Sequence, residues 1–278
     1  MNMRLAICNE TFREWESERA YATARQLGYE GIEFAPFTLG ADASAISRPQ
    51  RELVRRQLAS AGLDAVGLHW LLAGTNGYYL TSPEVAVRRR TSAYLGQLAE
   101  LCRDLGGNIM VLGSPAQRNL LPGIAHDQAV DFAADVLRKA VPTLEAYQVT
   151  LAVEPLGPQE GNFLNTTAAG IDLVQRVNNP QVQLHLDVKA MCSEGQPLSE
   201  LIRQGAPYLA HFHVNDPNLR GPGMGEVDFM PILQALHDVG YERWLSVEVF
   251  DYEPGVEALA SESIRTLRQC LGQIAARQ

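Results

Sequence analysis

Hydrophobic and polar positions along the chain follow two alternating periods. Short, apolar, β-branched runs read as strands: LAICNE at 5–10, GIEFAP at 31–36, AVGLHWLL at 65–72, NIMVLG at 108–113, VTLAVEP at 149–155, VQLHLDV at 182–188, LAHFHVND at 209–216 and WLSVEVF at 244–250. Between them lie amphipathic stretches long enough for several helical turns, among them 48–61, 84–105, 126–146, 167–178 and 256–275. Such alternation predicts an α/β fold with a parallel sheet covered by helices, and eight strands permit closure. The expected architecture is a (β/α)8 TIM barrel, one domain spanning residues 1–278. The competing architecture is a doubly wound open sheet. No glycine-rich dinucleotide fingerprint follows the first strand and no GxxxxGK[ST] loop occurs, so closure is preferred. The loops after the third and seventh strands are expected to be the longest.

Composition narrows the function classes. At 278 residues, with 46% hydrophobic and 20% charged positions, the chain can bury a large core. Its 23 Lys and Arg against 32 Asp and Glu give a net charge of -9, which opposes nucleic acid and anionic membrane surfaces. No run approaches the length of a membrane span and no leader pattern opens the chain, so a cytoplasmic protein is expected. Cys8, Cys102, Cys192 and Cys270 lack CxxC spacing and are expected as free thiols.

The last four strands each carry a metal-capable residue at or near the C-terminal end: Glu154, Asp187, His213 and Glu248. A barrel converts this repetition into proximity, because the C-terminal ends of its strands converge on one mouth. Three carboxylates and an imidazole form a mixed oxygen and nitrogen set suited to one divalent ion, with Mn²⁺ first and Mg²⁺, Co²⁺ or Zn²⁺ as alternatives. The bland reading makes them loop caps and salt bridges at the rim. Four in register argue against it.

The runs LAVEPLG, LHLDVKA, HFHVND and SVEVF resemble the metal-binding strands of the xylose-isomerase-like barrel superfamily, most closely its ketose 3-epimerase branch. The resemblance spans nearly the whole chain and is strongest from residue 150 onward. It implies that Glu154, Asp187, His213 and Glu248 bind one divalent ion, and that Glu154 and Glu248 are also an acid and base pair on opposite faces of a sugar. It further implies oligomerisation and a substrate-binding role for Glu160.

Other residues are candidates for substrate contact. His185 and His211 each precede a proposed ligand by two, which puts them on the same strand face. His69 and Trp70 end the third run, where the resemblance implies sugar-pocket lining, and Glu33 ends the second. Gly223, Gly225 and Asp228 fit the superfamily's PGxGxxD passage, with Asp228 a helix cap, and Arg220 in the same loop is a candidate for a substrate hydroxyl or phosphate. The chain departs from its relatives after Asp187: Val188, Lys189 and Ala190 follow where many read Asp-x-x-His. Lys189 thereby becomes a candidate for holding a carbonyl oxygen or an enediolate.

The expected activity is a metal-dependent sugar epimerase or isomerase that abstracts a proton beside a carbonyl. Its rival is a lyase or dehydratase acting on a 3-oxo sugar, C-glycoside or cyclic polyol. A non-catalytic sugar-binding barrel would not need four aligned ligands. The superfamily's nucleases use additional histidines that this chain lacks.

Overall fold

A computed structural model of the chain describes residues 2–277. Eight strands, β1 (Arg4–Cys8), β2 (Gly31–Phe34), β3 (Asp64–Leu68), β4 (Ile109–Leu112), β5 (Thr150–Val153), β6 (Val182–Asp187), β7 (Leu209–Val214) and β8 (Trp244–Val247), pair in parallel in chain order. The ring closes through β1 and β8, with Leu5 opposite Leu245 and Ile7 opposite Val247. The (β/α)8 barrel expected from the alternation is therefore the observed fold, and the open sheet is ruled out by this closure. No edge remains unpaired, so the apolar runs are covered from inside and outside.

The helices are α1 (Ser17–Leu27), α2 (Arg48–Ala61), α3 (Val85–Leu105), α4 (His126–Tyr147), α5 (Thr167–Val177), α6 (Val188–Cys192), α7 (Leu198–Gly205), α8 (Phe229–Asp238) and α9 (Val256–Ala275). Their ends follow local chemistry. Gln50 Oε1 accepts from Ser47 N at 3.0 Å at the start of α2, and Asp228, the cap expected from the sequence, accepts a hydrogen bond from Met230 N at the start of α8. The connections after β3 and β7, residues 69–84 and 215–228, are the longest between a strand and its following helix.

Two apolar clusters result. The larger fills the shell between strands and helices with residues such as Ile7, Ile32, Phe34, Leu68, Leu95, Leu137 and Leu236. The smaller joins Ala6, Val66, Ile109, Ala152 and Ala210 with Trp244 against them. Residues from five different strands can meet in this way only inside the barrel, where they plug its N-terminal half. The C-terminal half is left to polar side chains.

Candidate active site and metal centre

Four of the chain's six histidines and five of its carboxylates converge, nearly fully buried, in the upper barrel: His69, His185, His211, His213, Glu10, Glu33, Glu154, Asp187 and Glu248. Strand register produces this. His185 pairs with His211 and Asp187 with His213 across β6 and β7, beyond a register shift at Leu184 and His185. The period of two then turns all four toward the barrel axis. Glu154 and Glu248 follow immediately after β5 and β8, three strands apart around the ring.

His213 is held from two sides. Its Nδ1 lies 3.1 Å from Glu248 Oε2, and its Nε2 lies 3.2 Å from both oxygens of Glu33. Glu33 also meets His211 Nε2 at 2.8 Å. Asp187 accepts from Ala190 N at 2.8 Å and from the Asn215 amide at 2.5 Å. Trp70, with a left-handed φ of 54°, donates from Nε1 to Glu248 Oε1 at 2.8 Å. The buried Arg118 guanidinium donates to the Glu154 carbonyl at 2.6 Å. Residue 113 is glycine, and a methyl group there would overlap the Glu154 carboxylate in its present position.

The electrostatics sort these groups. Burial, and then the like charges of Glu248 and Asp187, raise the Glu154 carboxyl well above the ordinary carboxylate range. Burial and Glu248 raise Asp187 as well, against the opposing charge of Lys189. Burial would also raise Glu33 and Glu248, but their histidine neighbours outweigh it and hold both low, Glu33 well below the usual value. His213 is correspondingly raised in spite of its burial by Glu33 and Glu248. His185 is driven well below 6.5 by burial and by the adjacent His213 and His211.

The donor set fits a divalent cation. Glu154, His185, Asp187 and His213 each place a ligand atom within 4.8 Å of the others, and Glu248 adjoins His213 on its far side. Neither ring nitrogen of His185 has a hydrogen-bond partner although both are buried, and its Nε2 lies 3.8 Å from Glu154 Oε1. Three mutually repelling carboxylates beside unused nitrogen lone pairs are the arrangement a cation stabilises. The structure thus adds His185 as a neighbour that could complete the set.

Above these groups a cavity of about 110 Å³ is lined by His69, Trp70, Glu154, Glu160, Lys189, Glu248 and Phe250, among others. Four residues predicted to contact substrate, namely His69, Trp70, Glu160 and Lys189, therefore line it. His185 and His211 lie deeper, beside the proposed ligands. Arg220 is placed elsewhere: its guanidinium donates to Asp251 at 2.8 Å and to Glu253 at 2.8 Å, tying together the loops after β7 and β8. Gly225 in the same loop packs so closely on Asp216 that a Cβ would overlap that carboxylate. A wider hollow of about 540 Å³ opens at the opposite end of the barrel beside Arg4, Asp64 and Trp244. There Arg4 is already engaged by Glu30, Asp64 and the Trp244 ring, and among the described residues no buried acid or base lines the hollow.

A family model described as the xylose isomerase-like TIM barrel matches residues 21–270. The chain belongs to that family. L-ribulose 3-epimerase of Mesorhizobium japonicum is 30% identical over 253 residues, which cover 89% of this chain and 80% of the relative. D-psicose 3-epimerase of Ruminiclostridium cellulolyticum is 26% identical, covering 86% of this chain and 80% of its own. A solved structure of an L-ribulose 3-epimerase superposes with a TM-score of 0.84 at 24% identity, over 99% of this chain and 96% of the other.

Within this xylose isomerase-like barrel two buried polar groups, Glu10 and Asn215, were not evident from the sequence. Glu10, beyond β1, places both oxygens 3.0 Å from His69 Nε2, and helps push that imidazole up to about 9 against the opposing effect of burial. Asn215 bridges Asp187 and the backbone N–H of Lys189. Glu33, a candidate at the end of the second run, anchors two histidines. The signal available was a lone acid in GIEF, an otherwise apolar strand that is buried at every position.

Proposed function

We propose that the protein is a divalent-metal-dependent sugar epimerase or isomerase that works by proton abstraction beside a substrate carbonyl. The observation that supports this reading is that Glu154 and Glu248, from strands three apart in the ring, both line one cavity beside a buried cluster of carboxylates and imidazoles. Similarity to L-ribulose and D-psicose 3-epimerases supports a ketose as the substrate class.

Glu154, Asp187, His213 and Glu248 would hold the ion, and when bound it polarises a carbonyl and acidifies the adjacent C–H. The remaining steps belong to the chain. One glutamate takes the proton from one face of the substrate, and the other returns a proton from the opposite face, inverting that carbon. Return to the neighbouring carbon instead interconverts aldose and ketose. Trp70 fixes the Glu248 carboxylate in orientation, and Arg118 fixes the backbone of Glu154. His69, Trp70, Glu160 and Phe250 enclose the sugar and exclude water, while His185 is available to complete the ligand set and His211 holds Glu33, which in turn holds His213.

The test is incubation with Mn²⁺ and a panel of ketoses and ketose phosphates in D₂O, followed by NMR. Deuterium entering beside the carbonyl together with an epimer or isomer is the expected result; bound metal without exchange on any compound would sink the reading. A second reading is favoured by the departure from the Asp-x-x-His pattern that the family resemblance implies, since Asp187 is followed by Val188, Lys189 and, in place of the histidine, Ala190. A lyase acting on a 3-oxo sugar would show exchange with an unsaturated product.

A further inference from the structure

Lys189 brings a cation to the lining of the cavity that Glu154 and Glu248 share. It is only 7% exposed, although lysine ordinarily keeps its ammonium in water. Its position is tied to that of a proposed ligand: Asn215 accepts from Lys189 N at 2.9 Å and donates to Asp187 Oδ2 at 2.5 Å. The side chain crosses the mouth so that Nζ lies 2.7 Å from Glu160 Oε1 and 4.8 Å from the centre of the Phe250 ring. Glu160, Phe250, Glu154 and Glu248 all line the same cavity as Lys189.

An ammonium has three N–H bonds, and the Glu160 carboxylate engages one of them. Lys189 lines the cavity together with Glu160, and its ammonium has no second carboxylate at ion-pair distance among the described residues. We propose that Lys189 is a catalytic residue: its ammonium donates to a substrate oxygen at the reacting end and neutralises the enediolate charge as the neighbouring proton leaves. This rests on the proton-abstraction reading. Glu160 is then a positioning residue that fixes the ammonium before the charge appears, so no reorganisation is needed during the step. A fixed cation at a buried oxyanion acts on the charged state far more than on the neutral ground state.

That difference is what the experiment measures. The Mn²⁺-loaded protein is titrated calorimetrically with threonohydroxamate, a planar chelating anion that resembles an enediolate, and with xylitol, a neutral polyol. Lys189→Met is expected to weaken hydroxamate binding about 100-fold, the scale of losing one preorganised oxyanion donor, and xylitol binding less than about threefold. Lys189→Arg should restore part of the preference, and Glu160→Gln, which leaves the ammonium in place but loosens it, should lose about tenfold. Equal losses for both ligands, or none, in Lys189→Met would overturn the proposal, and Lys189→Gln gives the same reading if the Met variant does not fold. Wild-type protein with no preference for the hydroxamate and no proton exchange on any ketose would instead overturn the proton-abstraction reading, and this inference with it.

Discussion

Below the level of Glu33, the strands fill the barrel with Ala6, Val66, Ile109, Ala152 and Ala210; above it, the same ring supplies acids and imidazoles. The lower half follows the ordinary logic of a core, in which small and branched side chains interdigitate without polar atoms. The upper half breaks it. Glu154 and Asp187 are raised by burial and by like-charge neighbours, and His185 carries buried nitrogens without partners. Such groups destabilise the fold when they stand alone. The contrast teaches that in one continuous interior, one layer supplies stability while another gives up stability for chemistry.

The most severe test of this division is Glu154→Gln or Glu248→Gln. Each is expected to slow α-proton exchange by about 10³-fold, since a positioned acid or base commonly contributes that much. Thermal stability should hold, and Glu154→Gln should raise it slightly in metal-free protein by removing a repelled charge. Near-normal exchange in both variants would remove the acid and base pair. In the lower half, Ile109→Ala should do the reverse: a loss of roughly 2–4 kcal/mol in urea unfolding, with metal affinity unchanged. A large loss of affinity without loss of stability would erase the distinction between the halves.

Metal should narrow the contrast. At a Mn²⁺ concentration about 100 times its dissociation constant, stability is expected to rise by about 2.7 kcal/mol. Asp187→Asn should abolish most of that increment; an unchanged increment would take Asp187 out of the ligand set.

The most gradual effect concerns His69. Its imidazole titrates at about 9 in the fold against an ordinary 6.5, because Glu10, Glu33 and Glu248 outweigh burial. A raised cationic group gives stability that is fully present below the unfolded value and is lost as pH rises through the folded one. Metal-free protein should therefore lose at most about 1.4 kcal/mol per pH unit between 6.5 and about 9 from this residue. Urea titrations of His69→Gln should show a flatter profile across that window; an identical slope would contradict the assignment.

Strand order and the four proposed ligands were legible because the chain repeats one arrangement: an apolar run with a polar residue at its end. Parallel closure turns that repetition into a cluster with no further information. Glu33 and Glu10 were harder to read, since each is a single acid whose partners, His211, His213 and His69, lie far away in sequence. Arg220 shows the limit from the other side. Its loop was identified correctly, but the direction of its guanidinium depends on Asp251 and Glu253 in the loop after β8, which spacing within one loop does not reveal.

Residue 113 gives the site an unexpected point of vulnerability. It offers no proton, charge or lone pair from a side chain, yet the volume it leaves vacant is where the Glu154 carboxylate resides. A mutational scan ranking positions by chemical reactivity would pass over it, whereas one ranking them by tolerance would place it beside the carboxylates themselves. Substitution by alanine would push that carboxylate from its place while every reactive group remained present.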